Sequence, residues 1–292
     1  MKILITGAGG QLGQTLSKQT ADLHETITLD RNALDITNLQ DVEKVIAQTK
    51  PDYVINTAAY TAVDKAETET EQAFKINRDG PANLASVCAK FDIPLIHIST
   101  DYVFNGQKST PYVETDEICP INVYGDSKWQ GEEAVRAACD KHIILRVSWV
   151  FGFHGHNFVK TVQRLARELE EFKIVADQQG CPTATVHISQ VILRIIDKLS
   201  DSDFSDYGTY HYCDSPATNW CEFAKAITEE TRSYEDLAVK NILPNTTAGY
   251  PTPAARPQNS RMDCSKLQQV FGIEQYAWRD ALKKLVKELN DA

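Results

Sequence analysis

The stretch TGAGGQLG, residues 6–13, comes after a short apolar run and opens a segment of helical periodicity at 12–23. Gly7, Gly10 and Gly13 recur in it at intervals of three residues. Glycine lets the chain turn tightly and lets its backbone approach a pyrophosphate, which the free N–H groups at a helix N-terminus stabilise. The stretch therefore predicts a dinucleotide site between a first strand and a first helix, with a plain glycine turn as the simpler alternative.

An acidic and a basic residue end the second apolar run and bear on the choice of cofactor. Asp30 stands where a carboxylate can bond the ribose 2′-hydroxyl of NADH and repel the 2′-phosphate of NADPH. Arg31 can reach that phosphate and admit NADPH, or it is a solvated surface charge. The sequence thus predicts a nicotinamide dinucleotide and leaves NADPH and NADH open.

Apolar runs and helical segments alternate through the first half of the chain. Continuous apolar runs rich in β-branched residues indicate strands that are buried on both faces. Their alternation with helices predicts βαβ units and parallel pairing, and hence an α/β fold with a doubly wound parallel (Rossmann) sheet. The predicted strands are 2–7, 25–30, 52–59, 94–101 and 142–149, and the predicted helices are 12–23, 39–49, 69–91 and 124–140.

The second half of the chain is less regular, and a proline-containing loop covers 245–259. We predict a Rossmann domain over 1–150 and a smaller, interleaved domain over 151–292 that mainly binds substrate. Parts of the second half, about 173–184 and 205–232, are expected to return to the Rossmann domain. No linker separates the two halves.

Composition and charge argue against several classes of protein. The chain has 292 residues, of which 42% are hydrophobic and 24% charged, as in ordinary globular proteins. Its net charge of −10 disfavours a nucleic-acid partner, whose phosphates require a basic surface. The seven cysteines are irregularly spaced and include no C-x-x-C pair, so reduced thiols in the cytoplasm are the simplest interpretation. The N-terminal apolar run is too short for a signal peptide or a membrane span.

Small and polar residues follow the third and fourth predicted strands. Ligands of doubly wound sheets bind beyond the carboxyl ends of the strands. Ala58 and Ala59, in NTAAYTAVDKAE, would let the backbone lie against a cofactor there. Thr100 and Asp101, in HISTDYVFNG, would reach the same edge, where a hydroxyl can bond a substrate oxygen. A compact βα turn and helix capping are the respective alternatives.

The stretch VYGDSK places Tyr124 and Lys128 four residues apart, on one face of a helix. A phenol has an ordinary pKa of about 10 and is a poor acid–base group at neutral pH. An ammonium nearby stabilises the phenolate and lowers the pKa of the tyrosine, and it can also bond the nicotinamide ribose. The alternative is an exposed surface pair. Gly125 and Asp126 disfavour a helix interior, which predicts that Tyr124 stands in the first helical turn.

The order of these features along the chain favours a dinucleotide site and a catalytic Tyr-Lys pair over the simpler structural alternatives. A glycine-rich turn ends the first strand, a Ser-Thr pair ends the fourth, and Tyr-x-x-x-Lys follows. In this order they resemble the extended short-chain dehydrogenase/reductase family over nearly the whole chain. The motifs that carry the resemblance are TGAGGQLG, LDIT, NTAAYTAVDKAE, ISTDYVFNG, YGDSKWQGE, RVSWVFG, DQQGCPT and RPQNSR.

The resemblance implies a role for each matching position. Tyr124 would be the general acid, Lys128 its electrostatic partner, and Thr100 the hydroxyl that polarises a ketone. Arg261 is a candidate for the substrate diphosphate beside Arg256, and either arginine could equally be a structural ion-pair partner. The cofactor would be bound by Gly7, Gly10, Gln11, Leu12, Asp30, Asp35, Ile36, Ala58, Ala59, Tyr60, Thr61, Tyr124 and Lys128, and the substrate by Thr100, Asp101, Trp149 and Arg256.

The resemblance also implies a reaction, the NAD(P)H-dependent reduction of the C4 ketone of dTDP-4-dehydro-6-deoxy-L-mannose to dTDP-L-rhamnose for cell-surface polysaccharide. The nucleotide of the donor sugar stays open. A nucleotide-sugar 4-epimerase or 4,6-dehydratase is one alternative, although Tyr102 stands where a dehydratase would carry glutamate. A non-catalytic regulatory subunit of the same fold is another, and the intact Thr100, Tyr124 and Lys128 disfavour it.

Some members of this family hold magnesium at a dimer contact through glutamates. The first helix of this chain has Gln14 and Thr15 where a glutamate would be needed. We therefore predict no required metal and no metal-built dimer. The expected partner is a dTDP-linked nucleotide-sugar, without nucleic acid or membrane, and the expected assembly is a monomer or a homodimer in the cytoplasm.

Overall fold

A six-stranded sheet lies at the centre of the protein, which a computed structural model describes over residues 1–291. The strands are β1 (Lys2–Thr6), β2 (Glu25–Leu29), β3 (Tyr53–Asn56), β4 (Leu95–Thr100), β5 (His142–Val147), β6 (Val150–Phe151), β7 (Glu171–Val175), β8 (Gln179–Gly180), β9 (Thr183–Ala184), β10 (Gly208–Tyr212), β11 (Thr218–Asn219) and β12 (Asn241–Asn245). The helices are α1 (Gln11–Ala21), α2 (Leu39–Thr49), α3 (Val63–Ala66), α4 (Thr70–Phe74), α5 (Gly80–Lys90), α6 (Val123–Ala138), α7 (Phe158–Glu168), α8 (Thr185–Leu199), α9 (Trp220–Arg232), α10 (Ser265–Phe271) and α11 (Trp278–Asp291). A π-helical turn (Lys75–Asp79) joins α4 to α5, and 3-10 turns cover Asp101–Val103 and Thr247–Gly249.

The strands of the central sheet are ordered β2-β1-β3-β4-β5-β10, and every neighbouring pair is parallel. The chain leaves β1 for β2 on one side and then crosses to β3 on the other side. This reversal opens a crevice beyond the carboxyl ends of β1 and β3, where Thr6 pairs with Asn56. The predicted doubly wound parallel sheet is confirmed, and its crevice receives the glycine-rich turn.

Helices cover both faces of the sheet, which explains the continuous apolar runs of its strands. Ile3 and Ile5 of β1 pack with side chains of α1, α8 and α10 on one face. Leu4 packs with Val42 of α2 and Leu84 of α5 on the other face. Within residues 1–291, no helix combines the length and the apolarity that crossing a membrane would require.

A second hydrophobic core lies outside the sheet, between α7, α9 and α11. Phe223 of α9 and Trp278 of α11 are fully buried there, with ring centroids 5.2 Å apart. Three short ladders accompany the sheet, β7 with β12, β8 with β11, and β6 with β9. The stretch 173–184 thus pairs outside the central sheet, whereas β10 extends the sheet beside β5 and α8 packs on its face.

Candidate functional site

The carboxyl edge of the central sheet brings together the residues that were predicted for the site. Thr100 ends β4, Trp149 follows β5, and Tyr124 lies at the start of α6. The candidate cofactor residues come directly after the three strands β1, β2 and β3. They are Gly7, Gly10, Gln11, Leu12, Asp30, Asp35, Ile36, Ala58, Ala59, Tyr60 and Thr61.

The glycine-rich turn between β1 and α1 is packed too closely for larger residues. Gly7 has a φ of +69°, and a Cβ there would lie 2.4 Å from the backbone nitrogen of Ala58. A Cβ on Gly13 would lie 2.3 Å from the carbonyl oxygen of Gly7. Helix α1 begins at Gln11, after Gly10, with no side-chain cap and no acidic residue in its first turn. The turn therefore presents a positive helix terminus at the crevice, which fits a pyrophosphate.

The second half of the chain reaches over this turn. Asn157 donates from Nδ2 to Oε1 of Gln11 at 3.1 Å and to the carbonyl of Gly152 at 2.7 Å. A Cβ on Gly155 would lie 2.9 Å from Cγ of Gln11. Asn157 was not among the predicted site residues. Its one sequence signal is a position before a helical segment, and it caps α7 by accepting from the N–H of Lys160 at 3.3 Å.

Asp30 stands beside the glycine-rich turn. A Cβ on Gly9 would lie 3.7 Å from the Cβ of Asp30. Oδ1 of Asp30 accepts from the backbone N–H groups of Asn32 at 3.0 Å and Ala33 at 2.9 Å. The turn after β2 thereby orients the carboxylate at the edge where the ribose of a dinucleotide was predicted to lie.

Asp35 and Ile36 follow in the same loop. The side chains of Arg31 and Lys75 bring positive charge to Asp35. Asp35 accepts from the N–H of Thr37 at 3.0 Å and from its hydroxyl at 2.8 Å. These hydrogen bonds, together with the charges of Arg31 and Lys75, hold the pKa of the Asp35 carboxyl below its ordinary value. Ile36 is buried against the start of α5. Positive charge therefore accumulates at the end of the crevice where Arg31 was considered for NADPH.

A buried asparagine from the π-helical turn holds the segment after β3. Oδ1 of Asn77 accepts from the N–H of Tyr60 at 2.8 Å, and its Nδ2 donates to the Tyr60 carbonyl and to Oγ of Ser127, each at 3.0 Å. The Tyr60 hydroxyl donates to Glu69 at 2.8 Å. Asn77 thus ties the predicted cofactor segment 58–61 to α6. Sequence patterns did not indicate this role, because its partners are 17 and 50 residues away.

An asparagine cap and a glycine place the start of α6 at the site. Oδ1 of Asn122 accepts from the N–H of Gly125 at 2.7 Å, and the helix begins at Val123. A Cβ on Gly125 would lie 2.2 Å from the carbonyl oxygen of Tyr102, so glycine allows α6 to approach the 3-10 turn after β4. Tyr124 stands in the first helical turn, as predicted, and its ring meets that of Tyr102 edge-on at 5.5 Å.

Burial determines the protonation state of the Tyr124 phenol. It raises the pKa of Tyr124 to about 12, while the Thr100 hydroxyl lowers this pKa and the Asp101 carboxylate raises it. Thr100 itself donates to Oδ1 of Asp101 at 3.1 Å. The phenol is therefore protonated at neutral pH, in the form that donates a proton. The expectation of a lowered pKa for Tyr124 is wrong, because burial outweighs the hydrogen bond from Thr100 that stabilises the phenolate.

Lys128 lies one helical turn beyond Tyr124 and is buried. Its Nζ donates to the carbonyl of Ile98 in β4 at 2.7 Å. Burial lowers the pKa of Lys128 to about 8, although the carboxylate of Glu132 raises it. The ammonium is therefore the main form at neutral pH, but it loses its proton more readily than an exposed lysine does.

One carboxylate oxygen of Asp101 accepts no hydrogen bond from the described residues. Burial raises the pKa of Asp101 to about 6, although the hydroxyls of Ser260 and Thr100 lower it. Its Oδ2 is buried and has no hydrogen-bond partner within residues 1–291. A buried acceptor without a donor is costly, so this oxygen fits a ligand hydroxyl.

Trp149 occupies a strained position beyond β5. Its φ of +46° lies in the left-handed region, which residues other than glycine rarely adopt. Its ring stacks on Trp220 with centroids 3.6 Å apart, and a Cβ on Gly180 would lie 2.3 Å from its Cε2. The ring is thus clamped between an aromatic face and a glycine backbone at the ligand-binding edge, where strain points to function. Trp220 was not among the predicted site residues.

Two arginines considered for the substrate diphosphate have partners in the protein. Arg256 pairs with Oδ2 of Asp64 at 2.9 Å, and this carboxylate is partly exposed. Arg261 donates to Oδ1 of Asn259 at 2.8 Å and to the carbonyl of Ser109 at 2.5 Å. Arg256 can exchange its exposed partner for a phosphate, whereas Arg261 holds two loops together. Arg256 as a diphosphate ligand stays a prediction.

The side chains of α1 that replace a possible metal-binding glutamate bond within the protein. Gln14 donates to the carbonyl of Gly9 at 2.8 Å. Thr15 donates to the carbonyl of Gln11 at 3.0 Å and lies 3.1 Å from the hydroxyl of Thr185. Across the described residues, no group of three or more His, Cys, Asp or Glu side chains is arranged to hold a metal ion. That no metal is required stays a prediction.

Known proteins resemble this chain over its full length. The family described as RmlD substrate binding domain matches residues 1–291. The dTDP-4-dehydrorhamnose reductase of Aggregatibacter actinomycetemcomitans is 44% identical over 289 residues, which cover 97% of this chain and 98% of that protein. The structure of a dTDP-4-dehydrorhamnose reductase from Clostridium acetobutylicum gives a TM-score of 0.92 at 40% identity and covers 99% of both chains. That of Bacillus anthracis, solved in complex with NADP, gives a TM-score of 0.91 at 37% identity and covers 98% of this chain and 99% of its own.

Proposed function

The chain belongs to the RmlD family, and we propose that it catalyses the NAD(P)H-dependent reduction of the C4 ketone of dTDP-4-dehydro-6-deoxy-L-mannose to dTDP-L-rhamnose. It is an oxidoreductase with the fold of the extended short-chain dehydrogenases/reductases. One observation carries the proposal most directly. The glycine cradle for a dinucleotide, the buried Thr100 and Asp101 and the partly buried Tyr124 lie on the same edge of one sheet.

The glycine-rich turn would hold the cofactor pyrophosphate at the uncapped N-terminus of α1, which the close backbone packing of Gly7 and Gly13 keeps at the crevice. A nicotinamide cofactor supplies the hydride for the reduction when it is bound. The relative from Bacillus anthracis was solved with NADP. In this chain Arg31 and Lys75 bring positive charge to the loop after β2, which favours the 2′-phosphate of NADPH. We therefore expect NADPH to be preferred over NADH.

Tyr124, Thr100 and Lys128 carry the proton chemistry in this proposal. As negative charge develops on the C4 oxygen, the Tyr124 O–H bond breaks and a new O–H bond forms on the sugar. The Thr100 hydroxyl would turn from Asp101 to donate its hydrogen bond to the same oxygen, which stabilises that charge. The ammonium of Lys128 stabilises the phenolate that remains, which then takes a proton from solvent.

Asp101, Trp149 and Arg256 would bind the nucleotide-sugar. The unpartnered Oδ2 of Asp101 is suited to accept from a sugar hydroxyl. The clamped ring of Trp149 offers a flat apolar face at the same edge. The guanidinium of Arg256 has the fork geometry that binds a diphosphate.

A coupled assay tests the proposed reaction. dTDP-glucose, an upstream 4,6-dehydratase and an epimerase generate the keto-sugar, and NADPH and NADH are supplied in turn. We expect the nicotinamide absorbance to fall only when the keto-sugar is present, and faster with NADPH. Interconversion of sugars without net oxidation of cofactor would identify a 4-epimerase or 4,6-dehydratase instead. No reaction with either cofactor would favour a regulatory subunit.

The same proposal assigns a role to each half of the chain. Residues 1–150 would form the cofactor domain, and residues 151–292 would mainly bind substrate around the second hydrophobic core. Within this second half, β10 belongs to the central sheet and α8 packs on a face of that sheet. All seven cysteines are free thiols, which suits the reducing cytoplasm. The assembly is proposed to be a monomer or a homodimer.

Replacement of Lys128 by methionine is expected to stabilise the protein while it impairs turnover. The pKa of Lys128 is about 8 in the folded protein, below its ordinary value of 10.5, so a buried ammonium costs stability below pH 8. Removing the charge returns about 3 kcal/mol, and the unpaired carbonyl of Ile98 costs about 1 kcal/mol. Urea denaturation at pH 7 should therefore show a gain of about 2 kcal/mol.

The pH dependence of the stability gain in Lys128→Met tests whether the buried ammonium is its cause. Between pH 8 and 10.5 the unfolded chain binds more protons than the folded one, so wild-type stability rises with pH relative to the variant. The gain should disappear as the pH approaches 10, and it should become a loss of about 1 kcal/mol well above pH 10.5, where Lys128 is neutral in both states. The exposed substitution Lys44→Met should show no such trend. A gain that stays constant with pH would contradict the role of the buried charge.

Replacement of Gly180 by alanine is expected to weaken binding of the nucleotide-sugar and not of the cofactor. The added methyl would lie 2.3 Å from Cε2 of Trp149, so the indole must leave its stack on Trp220. A misplaced contact of this kind costs about tenfold or more in KM for the keto-sugar. Steady-state kinetics with each substrate varied in turn measure this, and tryptophan fluorescence reports the lost stack. A changed fluorescence with an unchanged KM would remove Trp149 from the substrate site.

A further inference from the structure

A fully buried ion pair lies on the helix that carries Tyr124 and Lys128. Glu132 is one turn beyond Lys128 in α6, and its side chain has no exposed surface. Arg146 of β5 donates to it from Nε at 2.9 Å and from Nη2 at 2.7 Å. Such a two-point contact fixes the carboxylate in position and orientation.

Two further donors complete the surroundings of this carboxylate. Ser99 donates from Oγ to Oε1 at 2.5 Å, and Arg136 donates from Nη2 to Oε2 at 2.6 Å. Ser99 directly precedes Thr100 at the end of β4. Although burial alone would raise the pKa of Glu132, Arg146 and the other donors hold it below its ordinary value. Glu132 is therefore a permanent negative charge that joins α6 to β4 and β5.

Stability alone is a weak reason for this arrangement. Removing two charges from water costs about as much as their attraction returns, and apolar replacements of buried ion pairs are often neutral or stabilising. Lys128 is a second neighbour of this ion pair, and a negative charge nearby stabilises its buried ammonium. Lys128 is buried, and its hydrogen-bond acceptor, the Ile98 carbonyl, carries no net charge. Residues four apart share a helix face, so Glu132 is the carboxylate on the side of Lys128.

We propose that Glu132 is a positioning residue for the reduction, whose carboxylate keeps the buried ammonium of Lys128 charged. The inference rests on the proposed function, because it concerns the lysine that stabilises the Tyr124 phenolate. Glu132 itself contacts neither substrate nor cofactor in this scheme. It acts through Lys128, and its contact with Ser99 holds the strand end that carries Thr100.

The other groups around Lys128 do not replace this carboxylate. The buried imidazoles are neutral at pH 7, because burial holds the pKa of His97 well below its ordinary value and lowers that of His211 to about 3. Tyr124 is protonated at neutral pH, and the carboxylate that acts on the pKa of Lys128 is that of Glu132 and not that of Asp101. Two guanidiniums, those of Arg136 and Arg146, add positive charge. Loss of the Glu132 charge therefore leaves an uncompensated excess of positive charge around Lys128.

Paired variants separate this electrostatic role from a structural one. Glu132→Gln alone leaves Arg146 buried without its carboxylate and threatens the fold. The double variant Glu132→Gln/Arg146→Met removes both charges, and the matched single variant Arg146→Met keeps the carboxylate on Arg136 and Ser99. We expect wild-type kcat to decline above about pH 8, where Lys128 loses its proton. Arg146→Met should keep that midpoint or raise it.

In the double variant the midpoint should move at least one pH unit lower, so that relative turnover at pH 8 drops about fivefold or more. Coincident pH profiles for the two variants would overturn the proposal. NMR of cofactor-free protein labelled with ¹³Cε-lysine, assigned through Lys128→Met, measures the Lys128 titration without any turnover. A titration that is the same in both variants also overturns the proposal. Failure of the coupled assay with a shifted titration would instead overturn the proposed reaction and leave the link between Glu132 and Lys128 intact.

Discussion

Replacement of Tyr124 by phenylalanine is expected to lower kcat by about 10²–10⁴-fold, the usual contribution of general acid catalysis. The variant keeps the ring, and with it the edge-on contact to Tyr102. It loses only the O–H that protonates the C4 oxygen. Because burial raises the pKa of this phenol to about 12, wild-type activity should not fall on the alkaline side through ionisation of Tyr124 until well above pH 8.

A matched control is available in the neighbouring phenol. Tyr102→Phe removes a hydroxyl from the ring that packs against Tyr124, without touching the proposed proton donor. Steady-state kinetics should show near-wild-type kcat for Tyr102→Phe and an unchanged KM for NADPH in both variants. Wild-type turnover in Tyr124→Phe would assign the acid to another group, with Asp101 as the first candidate, because burial raises its pKa to about 6.

Replacement of Gly7 by alanine is expected to remove cofactor binding and to destabilise the fold by about 3 kcal/mol or more. Two costs add at this position. The φ of +69° is unfavourable for any residue with a Cβ, and the new Cβ would lie 2.4 Å from the nitrogen and 2.5 Å from the Cα of Ala58. Both neighbours are backbone atoms, so β1 and the segment after β3 must separate at the crevice.

Gly9→Ala is the matched control in the same turn. A Cβ on Gly9 meets nothing closer than 3.7 Å, and this residue does not need a positive φ. Urea denaturation should show a stability close to wild type for Gly9→Ala and a large loss for Gly7→Ala. Titration with NADPH should show binding only in the control. Wild-type affinity for NADPH in Gly7→Ala would contradict the placement of the pyrophosphate at this turn.

The layered fold was predictable because its signals are local. A strand buried on both faces must be apolar throughout, as Ile3, Leu4 and Ile5 are, and a helix between two such strands must show helical periodicity. The place of Tyr124 in the first turn of α6 was also predictable. Gly125 disfavours a helix interior, and the structure adds that a Cβ there would meet the carbonyl of Tyr102.

The expectation of a lowered pKa for Tyr124 failed for a physical reason. The i, i+4 spacing established that both side chains lie on one face, but a pKa depends on burial and on where each charge finds a partner. Lys128 bonds the carbonyl of Ile98, and Tyr124 is desolvated. Neither fact follows from spacing along one helix.

Residues such as Asn77, Asn157 and Trp220 were missed because their partners are distant in the chain. Asn77 bonds Tyr60 and Ser127, and Asn157 bonds Gln11 from 146 residues away. An asparagine or tryptophan in isolation indicates a cap or core packing. Only the tertiary arrangement turns these side chains into supports for the cofactor turn and for the clamped ring of Trp149.

Local patterns in this sequence therefore predicted the parallel sheet and the glycine-rich turn, since each depends on residues a few positions apart, and the order of the motifs along the chain indicated Tyr124 as the candidate proton donor. The tertiary structure alone established the protonation of Tyr124, the strained clamp on Trp149 and the contact of Glu132 with Arg146 and Ser99. These properties depend on desolvation and on charges contributed by strands and helices far apart in the chain. Burial and long-range pairing arise only when those elements pack together.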